Sequence, residues 1–241
     1  MKSPLPGVGQ TFALLANGLE RWVLPPVCAI CGMAARQGLD CCAGCQRDLP
    51  VVEACCGRCG LELVRDVELC GRCSRRLPAF DRAWAAFAYR GGVERLIQRF
   101  KFRHDLAAGR VLANLMARRL DELAVPRPDL MVPVPLHWQR RLRRGFNQSE
   151  MLCGDLSHHF GGLPWHMMLE RRRATAAQSD LPAERRSGNV RGAFRMRPLT
   201  GVRHVALVDD VMTTGSTLDE CARVLKRNGV QRVDVWVVAR A

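Results

Sequence analysis

The stretch with the clearest chemical character runs from His204 to Leu218 and reads HVALVDDVMTTGSTL. Its apolar start, His204–Val208, predicts a buried parallel strand that ends in two adjacent carboxylates, Asp209 and Asp210. A turn of small residues follows, and an amphipathic helix comes after it. Backbone N–H groups at such a helix N-terminus favour a phosphate, while the carboxylates suit hydroxyl donors or a magnesium ion. A phosphate monoester beside two vicinal hydroxyls describes a ribose 5-phosphate.

The turn residues that we expect around the phosphate are small, and all but the glycine carry a hydroxyl: Thr213, Thr214, Gly215, Ser216 and Thr217. An ordinary strand–turn–helix with acids that cap the helix is the purely structural alternative. Other phosphate motifs do not fit, because the P-loop pattern is missing and no GxGxxG stands in the right context. A phospho-acceptor receiver domain would need several more strands and a lysine after the acids, whereas a single strand is predicted to follow.

Ten of the twelve cysteines lie between Cys28 and Cys73. Eight of them form four C-x-x-C pairs that begin every fourteen residues, a spacing that lets two pairs hold one tetrahedral zinc ion. The segment has too few apolar residues to fold on a core alone, so metal would supply the fold. Glycine follows the first and third pairs, which indicates two successive ribbons. We predict one zinc ion in each, bound by Cys28, Cys31, Cys42 and Cys45, and by Cys56, Cys59, Cys70 and Cys73.

Other roles for these cysteines fit less well. A disulfide framework would need an oxidising compartment, and a redox C-x-x-C would not repeat four times. Cys41 and Cys55 each stand directly before a ligand pair, either as bystander thiols or as an alternative ligand register. Zinc ribbons contact nucleic acid or protein in some proteins and are structural staples in others, so zinc alone does not fix the function.

The overall composition restricts the class of protein. The 241 residues allow one large or two smaller domains, and 48% apolar content fits a globular protein with a real core. The formal net charge of +14 is carried almost wholly by arginine and indicates nucleic acid or polyphosphate partners, unless it reflects compositional bias. No stretch approaches the ~20 apolar residues of a membrane span, and no signal-peptide core is present. We therefore expect a cytoplasmic protein with reduced thiols.

The remaining segments alternate between helical and extended patterns. Residues 9–24 predict a short amphipathic helix that ends at two prolines. Residues 170–189 show almost no apolar periodicity, and a loop of that length fits a mobile lid. We expect helices over 93–100 and 106–123, and strands over 83–89, 129–132, 165–169, 193–196 and 233–238.

The chain between the strand at 129–132 and residue 150 combines prolines with arginines. Prolines at 133 and 135 forbid a regular central ladder beyond Val132. Four arginines within 140–144 are a candidate clamp for pyrophosphate or backbone phosphates, with a solvated surface as the alternative. Asn147 is predicted to cap a helix with Glu150 as its partner, and a ligand role for Asn147 is the alternative.

Several of these motifs resemble those of known families. Residues 208–217 are similar to the phosphoribosyl pyrophosphate loop of the type I phosphoribosyltransferases. The amino-terminal C-x-x-C ribbon, Val-Pro-Val-Pro-Leu (132–136), Arg-Gly-Phe-Asn-Gln (144–148), the residues from Gln178 to Phe194, and Val-Asp-Asp-Val (208–211) follow in the order of the ComF family. This resemblance covers nearly the whole chain. Two departures are the eight cysteines, where some members show four, and Thr213, where 6-oxopurine salvage enzymes place an aspartate base.

The resemblance implies roles for individual residues. Asp209 and Asp210 would hold the ribose hydroxyls, and the turn from Thr213 to Thr217 would hold the 5′-phosphate. The pyrophosphate, with its magnesium ion, would lie between the loop at 133–137 and the arginine turn, at Pro135, Leu136, Arg144 and Gly145. Thr213 argues against a hypoxanthine or guanine substrate. The family is tied to natural transformation and to the handling of incoming single-stranded DNA.

The sequence thus predicts an α/β protein: a mainly parallel sheet of the type I phosphoribosyltransferase kind, flanked by helices, behind a double zinc ribbon. The expected domains are an amphipathic helix at 1–27, the double ribbon at 28–75 and the phosphoribosyltransferase-like domain at 76–241. Two functions stand side by side. One is a protein that binds phosphoribosyl pyrophosphate with Mg²⁺ and, if an enzyme, acts as a phosphoribosyltransferase. The other is a non-catalytic competence factor that binds single-stranded DNA, with DNA-uptake proteins as partners and no membrane insertion.

Overall fold

A computed structural model describes residues 26–35, 38–136, 145–171, 192–197 and 200–241 of the chain. The predicted helix at 9–24, the arginines at 140–144 and most of the predicted lid at 170–189 lie outside these residues. The chain divides into two compact units, Met1–Asp48 and Leu49–Ala241. The second set of paired cysteines therefore belongs to the same unit as the sheet.

The described part of the first unit is organised by its cysteine turns. The backbone N–H of Cys28 donates to the carbonyl of Met33 at 2.7 Å, and that of Ala29 donates to the carbonyl of Asp40 at 2.9 Å. The single helix described in this unit is α1 (Ala43–Arg47), which begins directly after Cys42. Because α1 buries none of its residues, hydrophobic packing alone cannot hold this helix in place.

The second unit contains the sheet and the helices that cover it. Its elements follow the chain in this order: α2 (Gly71–Arg75), β1 (Arg82–Ala88), α3 (Gly91–Phe102), α4 (Leu106–Glu122), β2 (Leu130–Pro133), α5 (Gln148–His159), β3 (Leu169–Arg171), β4 (Phe194–Met196), β5 (His204–Met212), α6 (Ser216–Arg227) and β6 (Arg232–Arg240).

Four of these strands form one parallel sheet in the order β1–β6–β5–β2. Its central strands are apolar on both faces, as parallel strands between helices must be. In β5 the run Val205–Val208 is fully buried, and in β6 Trp236 is fully buried too. The predicted α/β architecture with a parallel sheet is confirmed.

Helices α3 and α4 follow β1 and pack against each other. The buried side of α3 is Val93, Leu96, Ile97 and Phe100, the stripe expected from the helical period. A glycine inside α4 permits this contact, because a Cβ on Gly109 would lie 2.6 Å from the ring of Phe100. None of the helices in the described ranges is long and apolar enough to span a bilayer.

Three details differ from the sequence predictions. Strand β5 does not end at the acids but runs on to Met212, because β6 pairs with it as far as Arg240. Pro133 still pairs with Val208, which it can do because β2 is the last strand in the order of the sheet. The strand predicted at 165–169 is wrong: Trp165 makes an isolated bridge, and β3 pairs with β4 in a separate two-stranded sheet.

Candidate functional site

The loops that carry the candidate residues leave one edge of the sheet. Strands β2 and β5 are parallel neighbours, so their carboxyl ends lie side by side, and ligands of open α/β sheets bind at such an edge. After β2, the N–H of Val134 donates to the carbonyl of Val208 at 3.0 Å, and Pro135 and Leu136 come next. The turn after β5 therefore faces the loop that follows β2.

The two acids near the end of β5 have different partners. The Oδ1 atom of Asp209 accepts hydrogen bonds from the Ser149 hydroxyl at 3.0 Å and from the backbone N–H of Asp210 at 2.9 Å. The Oδ1 atom of Asp210 lies 2.8 Å from the ammonium of Lys101, which comes from the last turn of α3. Both side chains of this ion pair are largely buried.

The acid pair perturbs the titration of Asp209. Burial is the largest cause, followed by the negative charge of Asp210, and together they raise the pKa of Asp209 to about 7. The ammonium of Lys101 and the hydrogen bonds from Asp210 and Ser149 act in the opposite direction. The site thus holds a carboxyl group that changes its charge near neutral pH, as functional sites commonly do.

The turn between β5 and α6 depends on a glycine. Gly215 adopts a left-handed φ of 73° and stands at the N-cap of α6. A Cβ at this position would also lie 2.6 Å from the terminal methyl of Met212. The hydroxyls of Thr214 and Ser216 are 3.0 Å apart. The turn therefore brings two hydroxyls together at the N-terminus of a twelve-residue helix, where the dipole favours an anion.

Asn147 fills the capping role that the sequence predicted. Its Oδ1 accepts from the N–H of Ser149 at 3.1 Å, and its amide nitrogen donates to Glu150 at 3.1 Å and to the carbonyl of Val134 at 3.2 Å. Because its side chain is occupied in this way and buried, Asn147 joins α5 to the loop after β2. Gly145, just before it, has a φ of 69°, while Arg144 lies outside the described residues.

The paired cysteines form two clusters in the combination that the spacing predicted. In each cluster the four sulfur atoms lie within 4.8 Å of one another. The Sγ atoms of Cys31 and Cys42 are 3.7 Å apart, and those of Cys59 and Cys70 are 3.8 Å apart. Tetrahedral zinc with Zn–S bonds of ~2.3 Å requires an edge of ~3.8 Å, so both clusters fit a structural zinc ion.

Backbone N–H groups in the second cluster favour the thiolate form of Cys56. The N–H of Cys70 donates to the sulfur of Cys56 at 3.2 Å. Burial acts to raise the pKa of Cys56, but the N–H groups that point at its sulfur, including those of Cys59 and Cys70, bring the pKa down to about 7. All twelve cysteines are free thiols, so no disulfide competes with metal binding.

The structure separates the ligand cysteines from the two that precede them. Cys41 is fully buried, and its Sγ atom lies 3.8 Å from the carbonyl oxygen of Cys42. Neither Cys41 nor Cys55 belongs to a cluster, which favours the bystander interpretation over the alternative register.

Two residues of the site are not among those predicted from the sequence. Ser149 is 60 residues from Asp209 in the chain and carries no motif of its own beyond its place after Asn147. Lys101 did leave a signal, because it is one of three lysines in a chain whose other basic residues are arginines. A lysine in a chain that otherwise uses arginine is a candidate for a specific contact.

Comparison with known proteins matches both halves of the chain. Residues 19–74 match the double zinc ribbon domain, and residues 147–241 match the phosphoribosyl transferase domain. The DNA utilization protein YhgH of Salmonella typhi is 39% identical over 221 residues, 89% of this chain and 90% of that protein. Competence protein F of Haemophilus influenzae is 37% identical over 216 residues, 86% of this chain and 92% of that protein. The chain belongs to the ComF family.

Family membership accounts for the two kinds of site in one chain. This ComF protein has a double zinc ribbon, which accounts for its eight paired cysteines. A solved purine phosphoribosyltransferase from Pyrococcus horikoshii aligns with 56% of this chain and 83% of that chain at 19% identity, with a TM-score of 0.34.

Proposed function

We propose that this ComF protein binds phosphoribosyl pyrophosphate, or a related 5-phosphoribosyl ligand, at the edge where β2 and β5 end. One observation carries the proposal: an acid pair, with Asp209 partly buried and Asp210 buried, lies near the end of β5, and the strand leads into a glycine turn at a helix N-terminus. The names of its relatives connect such proteins with DNA utilization and competence, and we propose the same setting here. Free thiols throughout the chain suit the reducing cytoplasm.

The proposed ligand contacts follow from the chemistry of each group. Carboxylates accept hydrogen bonds, so Asp209 and Asp210 would receive the two ribose hydroxyls. The 5′-phosphate would bind in the turn of Thr213, Thr214, Gly215, Ser216 and Thr217, where backbone amides, hydroxyls and the dipole of α6 all favour negative charge. The turn between β5 and α6 is short, which matches the short distance between a ribose ring and its 5′-phosphate.

The pyrophosphate would bind on the opposite side of the acids, near the loop after β2. We assign it to Pro135, Leu136 and Gly145, with Arg144 as the cationic partner. Lys101 adds a positive charge beside the acids, 2.8 Å from Asp210. A buried ammonium at this point offsets the repulsion between the carboxylates and a polyanionic ligand.

Magnesium fits this arrangement only together with the ligand. Mg²⁺ prefers about six oxygen ligands, and the protein offers the two acids, one of which is already paired with Lys101. In the part of the chain that the structure describes, the two cysteine clusters are the groups with the geometry of a metal site. We therefore propose that Mg²⁺ arrives bound to pyrophosphate, with water and phosphate oxygens as most of its ligands.

A second candidate function is the binding of single-stranded DNA. The net charge of +14 favours it, since a polyanion is attracted by such a surplus. The charge is equally compatible with a pyrophosphorylated ligand, whereas the acid pair and the glycine turn have no evident purpose in DNA binding. The two activities are also compatible with each other.

Calorimetric titration with phosphoribosyl pyrophosphate, with and without Mg²⁺, tests the proposal. Replacing both acids by amides (Asp209→Asn with Asp210→Asn) keeps their shape and removes charged acceptors worth roughly 1.5–3 kcal/mol each. We expect affinity to fall at least ~100-fold. A parent protein that binds the ligand no better than this double variant would exclude the pocket. If that parent still binds single-stranded DNA, the second candidate function stands alone.

A matched pair of glycine variants tests the turn. Gly215→Ala places a Cβ on a left-handed residue and close to the terminal methyl of Met212, so it strains the turn. Gly154→Ala, in α5, meets open space and serves as the control. We expect the first variant to lose phosphoribosyl pyrophosphate binding and the second to keep it. Equal binding by both would show that the turn does not hold the phosphate.

A further inference from the structure

We propose that the second zinc ribbon braces the phosphate turn, with Arg72 and Arg240 as positioning residues that tie the two together. This inference rests on the proposed function, because it concerns the same turn. The second cysteine cluster is Cys56, Cys59, Cys70 and Cys73. It packs into the same hydrophobic core as Leu218 and Cys221 of α6, so cluster and helix are parts of one folded body.

Two guanidinium groups hold three consecutive carbonyls of the turn. Arg240 donates from Nη1 to the carbonyl of Met212 at 2.9 Å and to that of Thr213 at 2.6 Å. Arg72 donates from Nη2 to the next carbonyl, that of Thr214. Hydrogen bonds from a charged donor are stronger than neutral ones, so these contacts restrict the backbone of the turn at three adjacent positions.

Both arginines are also anchored at the cysteine cluster. Arg72 stands between the ligand cysteines Cys70 and Cys73 on the short helix α2. Arg240 donates from Nε to the carbonyl of Cys59, at the opposite C-x-x-C turn, and is itself 5% exposed. Each half of the zinc-binding cluster is therefore linked to the phosphate turn by its own arginine.

The geometry of the peptide bond explains why these contacts matter for a ligand. In a trans peptide the C=O of one residue and the N–H of the next point in opposite directions. Holding the carbonyls of residues 212–214 toward the ribbon therefore aims the N–H groups of Thr213, Thr214 and Gly215 to the other side. Those are amides that the proposed phosphate would need, and preorganised donors bind an anion without the cost of ordering them.

Further contacts fix the start of α6 against the chain that leaves the ribbon. The N–H of Ala79 donates to Oδ1 of Asp219, in the first turn of α6, at 2.6 Å. On the other side, Gly60 has a φ of 61°, and a Cβ there would lie 3.0 Å from the carbonyl oxygen of Ala83 in β1. The ribbon thus approaches the sheet closely at its first turn and the helix at its exit.

The first cysteine cluster provides the contrast. Cys28, Cys31, Cys42 and Cys45 belong to the unit Met1–Asp48, whereas the turn belongs to the unit Leu49–Ala241. We assign the positioning role to the second cluster, which belongs to the same unit as the turn.

Amide hydrogen exchange of the turn in the full-length, zinc-loaded protein tests the brace without any ligand. Arg72→Ala removes one of these hydrogen bonds, and Arg75→Ala removes another exposed arginine from the same helix as the matched control. We expect residues 212–218 to exchange at least about threefold faster in Arg72→Ala than in Arg75→Ala, with equal zinc content and melting temperature. Arg240→Lys, which keeps the charge but not the planar fork, should accelerate exchange in the same way.

Titration with phosphoribosyl pyrophosphate then connects the brace to binding. Arg72→Ala should bind about 10-fold more weakly than Arg75→Ala. Equal exchange of the turn in Arg72→Ala and Arg75→Ala would overturn the brace. Loss of zinc from Arg72→Ala would also overturn it, because unfolding of the ribbon would then explain the faster exchange. A parent protein that fails to bind the ligand, with fast exchange in Arg72→Ala but not in Arg75→Ala, would overturn the proposed function and leave the brace standing.

Discussion

The ammonium of Lys101 lies 2.8 Å from the Oδ1 atom of Asp210, and the two side chains are only 20% and 9% exposed. This contact joins the last turn of α3 to the end of β5 at the edge where we place the ligand. A buried ion pair is weak evidence for stability, because the cost of removing both charges from water offsets their attraction. We therefore interpret Lys101 as part of the site.

Replacing Lys101 by methionine should weaken ligand binding. Lys101→Met keeps most of the length of the side chain and leaves two carboxylates without their counter-ion beside a polyanion. We expect the dissociation constant for phosphoribosyl pyrophosphate to rise at least ~10-fold in calorimetry. Lys226 offers a matched control, because its ammonium also lies 2.8 Å from a carboxylate, that of Asp81. Lys226→Met removes the same charge elsewhere, and an equal loss of affinity in both variants would contradict a specific role for Lys101.

Ligand affinity should depend on pH through Asp209. Its pKa is raised to about 7 by burial and by Asp210, and only the ionised form accepts a hydrogen bond from a ribose hydroxyl on both oxygens. Affinity should therefore increase as the pH rises through about 7. The ligand phosphates also titrate, so Asp209→Asn is the reference: the difference between the two pH profiles isolates Asp209. Parallel profiles would show that Asp209 does not titrate in this range.

The same shift predicts the opposite trend for stability. A carboxyl whose pKa is raised on folding stabilises the fold fully below its unfolded pKa of about 3.9, and this contribution is lost as the pH rises through about 7. Asp209→Asn should therefore stabilise the protein at about pH 8 by on the order of 1–4 kcal/mol, and by little at about pH 4. Urea unfolding at the two pH values measures this. A constant difference between the proteins would contradict the raised pKa.

The sequence predicted the features that depend on short-range patterns. The strand, the acid pair, the turn and the start of the helix lie within fifteen residues, and periodicity placed the helix at 106–123 that the structure shows as Leu106–Glu122. The spacing of the C-x-x-C pairs was enough to group the eight cysteines correctly, because a tetrahedral ion restricts which pairs can combine.

Contacts between distant segments could not be predicted from short-range sequence patterns. Arg72 and Thr214 are 142 residues apart, and no local pattern distinguishes Arg72 from the other arginines of the chain. The length of β5 was underestimated for a similar reason. Two acids normally end a buried strand, but pairing with β6 carries this one on to Met212. Both outcomes are decided by tertiary packing, which can override local preference.

Metal analysis should find about two zinc ions per chain. Cys56→Ser should remove one of them, as should Cys31→Ser, whereas Cys153→Ser and Cys221→Ser should retain both because these buried thiols belong to neither cluster. The two ligand variants should differ in stability. Cys56 lies in the core of the second unit and Cys31 is exposed, so only Cys56→Ser should lower the unfolding temperature of the sheet. Protein purified without chelator that contains no metal would contradict the ribbon assignment.

Binding of single-stranded DNA, if it occurs through the arginines at 140–144, should depend steeply on salt. Each phosphate contact to a single strand contributes a slope of about −0.7 to the logarithm of affinity against the logarithm of salt concentration. Replacing Arg140, Arg141, Arg143 and Arg144 together by alanine should therefore flatten the slope by up to about 3, measured by fluorescence anisotropy with a labelled oligonucleotide.

Net charge alone would also weaken DNA binding, so the control must remove the same number of charges elsewhere. Four exposed arginines spread over the described chain serve this purpose: Arg65, Arg75, Arg95 and Arg118. Because scattered charges act mainly through the long-range field, this variant should bind somewhat more weakly but keep most of its salt slope. If DNA contacts one contiguous group of arginines, the salt slope of its affinity decreases strongly only when those arginines are replaced. Equal slopes in the two quadruple variants would mean that 140–144 is a solvated surface, and the DNA contact would have to be sought on another face.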